Sequence, residues 1–210
     1  HDGSSVVSMS NLVNNSGVVA ADVTGVGTAR FFLAAANYGT DKAIFGYGRT
    51  TAITNLVSNS GVVATDTAGV GTGREALAAA SYGGDKAIFG YGPNGGAVQN
   101  LTNKVSNSGV VAADTAGVGT GRYNLAAVEF GGDQLIFGYG QTGSLISLTN
   151  KVSNVGTVAA DVTGVGTARS ELAAAGYGAD LAIFGYGYPT SSITNKVSNT
   201  GVVATNTTGV

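Results

Sequence analysis

The strongest constraint on this chain is that it says nearly the same thing four times. Residues 30–48, 74–92, 122–140 and 169–187 each open with an arginine (Arg30, Arg74, Arg122, Arg169) and run through Leu-Ala-Ala. Each then turns at a Gly and Asp cluster and returns through Ile-Phe to Gly-Tyr-Gly. Two short apolar runs joined by such a turn are a hairpin signature, because Gly and Asp accept the backbone angles that reverse a strand. The arginines recur about 44–48 residues apart, and self-similarity at that period marks an array of small units, none of which can bury its apolar face alone. Whatever the chain folds into must be built from stacked copies of one unit.

Between the hairpins lies a second repeated segment. After each Gly-Tyr-Gly comes a loop of variable length, then a third strand, clearest where Ile146, Leu148, Asn150 and Val152 alternate with Ser147, Thr149, Lys151 and Ser153. A period of two sends one face inward. Ser-Asn-x-Gly then turns the chain, and a Val-Val-Ala run gives a fourth strand in which Val62 and Val63 supply apolar bulk. Gly-Val-Gly-Thr links it to the next arginine. The unit therefore reads as an inner hairpin and an outer hairpin, four antiparallel strands in all. The alanine strand is expected innermost, where only small side chains let neighbouring sheets approach. Leu33, Leu77, Leu125 and Leu172, with Ile44, Ile88, Ile136 and Ile183, are expected to fill the spaces between units.

Composition agrees. Among 210 residues there are 35 glycines, two prolines, no cysteine and no tryptophan, and 10% are charged; long helices would need the Leu, Glu, Lys and Arg that are scarce here. The expectation is an all-β fold, a β-propeller of four-stranded antiparallel blades. It forms one array over residues 1–210, with units at 1–29 (partial), 30–73, 74–121, 122–168 and 169–210. There are five outer hairpins but four inner ones, so the first outer hairpin has no inner partner. The missing hairpin is expected from more of the same polypeptide or from an adjacent copy, which makes this a part of a longer chain or assembly. A net charge of −2 leaves no footprint for nucleic acid. No apolar run approaches the roughly 18 residues of a membrane span, and residues 1–5 have neither the basic nor the apolar region of a signal peptide.

The arginine before a small-apolar strand, the Gly-rich turn, the Ile-Phe strand ending in glycines and the Thr/Asn-rich return together resemble the kelch repeat of β-propellers, over essentially the whole chain. Near-identical repeats of this kind are also similar to those of secreted or virion-associated fibre proteins. The resemblance implies a propeller of four to five kelch-like repeats and an extracellular or virion-surface location. Its partners would be copies of itself or further repeats.

The recurrent polar residues allow two kinds of reading. Asp22, Asp66, Asp114 and Asp161 occupy matching positions, with Asn206 in the fifth. Carboxylates in a ring are candidate Ca²⁺ ligands, but the Asp-rich calcium-loop spacing is absent. The expected role is to lock one blade to the next by bonding loop backbone or pairing with Arg30, Arg74, Arg122 and Arg169. A second set, Asp41, Asp85, Asp133 and Asp180, falls in the inner turn, where Asp bonds its own backbone. Gly-Val-Gly-Thr is not a phosphate loop, since a strand and not a helix follows it. A lone His1 and the irregular Glu75, Glu129 and Glu171 assemble no catalytic set, and neither metal nor cofactor is called for. Tyr47, Tyr91, Tyr139 and Tyr186 in Gly-Tyr-Gly are candidate sugar-stacking positions, against the reading that they pack between blades with their hydroxyls bonded at the rim. Asn14, Asn100 and Asn206 head Asn-x-Ser/Thr sequons. The sequence thus points to a non-enzymatic structural or adhesive module, with a glycan-binding propeller as the alternative.

Overall fold

The computed structural model describes residues 5–209; His1 and the other terminal residues lie outside the described residues. The fold is all-β, with no helix among those residues. In the first unit β1 (Ala34–Tyr38), β2 (Lys42–Gly46) and β3 (Thr54–Val57) form an antiparallel sheet in that order. The second has β4 (Ala78–Tyr82) and β5 (Lys86–Gly90), a two-residue ladder of β6 (Pro93–Asn94) and β7 (Ala97–Val98) in its loop, and β8 (Thr102–Val105). The third has β9 (Ala126–Phe130), β10 (Gln134–Gly138) and β11 (Thr149–Val152). The fourth has β12 (Ala173–Tyr177), β13 (Leu181–Gly185) and β14 (Thr194–Val197).

Register is the same in every unit. Tyr38 opposes Lys42 as Tyr82 opposes Lys86, and Phe45 opposes Asn55 as Phe89 opposes Asn103. The hairpin turn needs two consecutive residues at positive φ, which Gly131 and Gly132 supply at 64° and 80°. In the first and fourth units Thr40 and Ala179 take the second of these positions.

The fourth strand is weaker than the sequence leads one to expect. The returning segment touches β3 only through isolated bridges, Thr54 with Thr67 and Val57 with Val63, so each unit is three regular strands plus a loosely bridged fourth segment. Val62 is 64% exposed, and Val18, Val110 and Val202 are exposed with it. The apolar bulk expected at Val62 faces solvent because no further layer covers that side. A side-chain clamp holds the segment instead. Buried Asn55 donates from Nδ2 to the Ala64 carbonyl and to Asp66, and Asn103, Asn150 and Asn195 repeat the arrangement.

The apolar core lies between units, not within them. Three clusters each combine residues of two consecutive units: Tyr38, Ile44 and Tyr47 with Leu77 and Phe89; Tyr82, Ile88 and Tyr91 with Leu125 and Phe137; Phe130, Ile136 and Tyr139 with Leu172 and Phe184. β1 packs on β4, β4 on β9 and β9 on β12, and all four alanine strands border one central cavity of about 300 Å³. Leu33, 37% exposed, and half-buried Ile183 depart from the expected filling, because each faces an end of the series where no further inner hairpin stands.

Candidate functional site

The recurrent side chains converge on the joint between successive units. Each Gly-Tyr-Gly tyrosine is held at positive φ, 64° for Tyr47, 67° for Tyr91 and 63° for Tyr139. That costly backbone setting ends the strand and turns the ring toward the next unit. There it meets a phenylalanine, with centroids 5.0 Å apart for Tyr47 and Phe89, 5.1 Å for Tyr91 and Phe137, and 5.2 Å for Tyr139 and Phe184. It also meets the next arginine, whose guanidinium carbon lies 5.0, 4.1 and 4.2 Å from the ring centroid for Arg74, Arg122 and Arg169. The phenylalanine fits because its counterpart is glycine: a Cβ on Gly46, Gly90 or Gly138 would stand 2.5–2.6 Å from the Cζ of Phe89, Phe137 or Phe184.

Backbone bonds align the same surfaces. The Gly39 amide donates to the Asp85 carbonyl at 2.7 Å, Gly48 to Arg74 at 2.8 Å and Ala76 to Phe32 at 2.9 Å. The next two joints repeat all three bonds. Phe32, Ala76, Asn124 and Glu171 all have positive φ, near 50°. The αL turns at Ala76, Asn124 and Glu171 thus each aim one amide across a joint.

Arg74, Arg122 and Arg169 are fully buried, and Arg30 nearly so. Arg30 and Arg74 bond the side-chain oxygens of Asn55 and Asn103 and the carbonyls of Ile53 and Leu101. Arg122 and Arg169 instead turn to the carbonyls of Thr120 and Thr167, which leaves the Oδ1 atoms of Asn150 and Asn195 buried without a partner. Burial lowers the pKa of Arg74 and Arg122, opposed by the neighbouring Tyr and Asp charges. Burial pushes the Tyr47 phenol up to about 12, against the pull of the Arg74 charge. The Tyr47, Tyr91 and Tyr139 hydroxyls donate to the carbonyls of Val70, Val118 and Val165.

The aspartates bond threonine more closely than arginine. Thr28 donates to Asp66 from both its amide and its hydroxyl (3.0 and 2.7 Å), and Thr72 to Asp114 and Thr120 to Asp161 do the same. The closest arginine contact is Arg122 Nη1 to Asp161 at 4.0 Å. In the last unit Asn206 takes the position, accepting from the Thr167 amide and donating to its hydroxyl. Hydrogen bonds from Thr28 and Asn55 hold the Asp66 carboxyl below its usual pKa. For Asp114 and Asp161 burial acts upward, but bonds from the corresponding Thr and Asn outweigh it and the net shift is also down. Asp22 accepts from Asn11 at 2.8 Å within its own segment. The sequence shows Gly-Val-Gly-Thr only as a link to the next arginine and does not mark Thr28, Thr72, Thr120 and Thr167. The available signal was the near-constant separation of each threonine from the aspartate of the following unit.

The other candidate positions separate from one another. Tyr47, Tyr91 and Tyr139 are wholly buried and present no face to a ligand, whereas Tyr186 is 57% exposed; four equivalent sugar-stacking sites do not exist. The inner-turn Asp41, Asp85, Asp133 and Asp180 accept from Asn59, Asn107, Asn154 and Asn199. Among the described residues no cluster of His, Asp and Glu could hold a metal ion. Exposed Asn14 uses Oδ1 to cap its own turn, while the Nδ2 groups of Asn100 and Asn206 already donate to Gly119 and Thr167. The central cavity carries one carboxyl, Glu129, whose pKa is raised by burial and by the Asp133 charge.

Compared with known proteins, the chain matches no family model and no curated protein.

Proposed function

We propose that this chain is a propeller-type array of kelch-like repeats that serves as a structural or adhesive module of an extracellular or virion-associated fibre or assembly, without catalysis, and that it associates with further repeats of its own kind. One observation carries the reading: the residues the sequence repeats most faithfully, the Arg, Phe, Tyr, Asp and Thr of each unit, are spent on the joints between units. The common cavity bordered by all four alanine strands supports the propeller arrangement. A glycan-binding reading draws on Tyr186 and Tyr188, exposed tyrosines of the fourth unit. A glycan-array screen decides between the two. The structural reading expects no saturable binding. Saturable binding to a sugar that Tyr186→Ala abolishes would replace it with the lectin reading.

A further inference from the structure

The first outer hairpin, residues 10–23, stands beside the first unit as each later outer hairpin stands beside the next. Its strands are bridged at Ser10 with Val23 and Val13 with Val19, and Asn11 makes the same clamp bonds to Ala20 and Asp22 that Asn55 makes to Ala64 and Asp66. What it lacks is an inner hairpin. The Ser10 amide and carbonyl are bonded to Val23 and the Leu12 carbonyl to Ala20, so the backbone groups of Asn11 and Val13 point the other way, along an open edge. Val13 is 63% exposed, whereas its counterparts covered by an inner hairpin are half-buried at Val57 and wholly buried at Val105, Val152 and Val197. Between this edge and β1 runs a cleft of about 390 Å³ bordered by Met9, Arg30, Leu33, Ala34 and Phe45.

The three complete joints state what each of these groups is missing. Leu77, Leu125 and Leu172 are covered by the preceding tyrosine; Leu33 is not. Arg74, Arg122 and Arg169 stack on that tyrosine; among the described residues no aromatic ring stacks on Arg30. Phe89, Phe137 and Phe184 lie against a preceding glycine, and Phe45 has none. The fourth unit shows the reverse deficit. A Cβ on Gly185 would meet only its own sheet's Thr194, Tyr186 lacks both its phenylalanine and its arginine, and Gly178 and Gly187 do not make the amide bonds of Gly131 and Gly140. β1 of the first unit and β12 of the fourth both line the central cavity.

We infer that this gap is a docking site for one inner hairpin of the repeat's own sequence, by strand addition to the Asn11–Val13 edge. The inference rests on the repeat-array part of the reading above and not on its extracellular role. An intact second copy does not fit. If its first unit docked on the fourth unit here as each unit docks on the one before, its residues 10–23 would fall on residues 194–207. A lone hairpin brings no outer segment and meets no such obstacle. It would place its Gly-Tyr-Gly tyrosine under Arg30 and over Leu33, the glycine before that tyrosine against Phe45, and its own phenylalanine against Gly185.

The test adds a synthetic peptide of residues 74–92 to the chain of residues 1–210, followed by thermal shift and calorimetry. The expected result is saturable one-to-one binding with a rise in Tm that grows with peptide concentration. Affinity should fall at least tenfold for a peptide carrying Phe89→Ala and Tyr91→Ala. Val13→Pro in the protein, which removes an amide from the open edge, should likewise abolish binding. Absence of saturable binding, equal binding of the doubly substituted or a scrambled peptide, or self-association of the protein that the peptide does not suppress would each overturn the inference. The peptide variants keep the test decisive even if Val13→Pro does not fold. A positive glycan array would change the role without touching this result.

Discussion

Tyr139 and Tyr186 sit in the same pentapeptide, Ile-Phe-Gly-Tyr-Gly, and share the same positive φ, 63° and 61°. The first is wholly buried beneath Phe184 and Arg169; the second is more than half exposed. Local sequence sets the backbone of both and the burial of neither. Burial belongs to the neighbour, as expected where each repeat supplies half of an interface and stability is a sum over joints.

Four measurements would break or sharpen that comparison. The largest effect should come from the phenylalanine plug. Phe137→Ala empties a joint and is expected to cost about 3–5 kcal/mol, whereas Phe45→Ala, at the open end, should cost well under half of that. Equal costs by urea denaturation would show the joints to be energetically idle. Next is the arginine: Arg122→Ala loses a desolvated stacking partner and charged hydrogen bonds, for about 3 kcal/mol, while Arg30→Ala loses its hydrogen bonds to Asn55 and Ile53 but no stacking on a described ring and should cost about 2 kcal/mol.

The glycine socket gives a smaller contrast. Gly138→Ala drives a methyl into Phe184 and is expected to cost about 1–3 kcal/mol, but Gly185→Ala meets no neighbouring unit and should stay within about 0.5 kcal/mol of the parent. A substantial loss at Gly185 would mean that its face is covered in solution. The smallest effect is the response to acid. Asp66, Asp114 and Asp161 have folded-state pKa values below the usual value of about 3.9, so their contribution is complete above that value and lost as the pH falls through the lowered values. Tm should hold from neutrality to about pH 4 and drop below it. A triple Asp→Asn variant at these positions, copying the Asn206 joint, should flatten the drop, and an undiminished drop would remove the aspartates from the account.

The chain's own pattern determined a good deal. Period-two alternation, turn residues and the repeat of Gly-Tyr-Gly are local properties, and they were enough to place every inner hairpin and to mark Arg30, Arg74, Arg122 and Arg169 as a set. Hydrogen-bond partners across a joint were less legible. Thr72 and Asp114 lie 42 residues apart, and nothing nearby in the sequence says that a threonine rather than an arginine will hold the carboxylate. Nor does a valine pair show by itself that Val62 will face solvent, since that depends on whether another layer covers the sheet. Only the tertiary structure decided which copies of one motif are buried. Interior units meet a neighbour on both faces, while Phe45 and Tyr186 each meet one on a single side. Identical residues therefore form the core in the middle of the array and stand open at its ends.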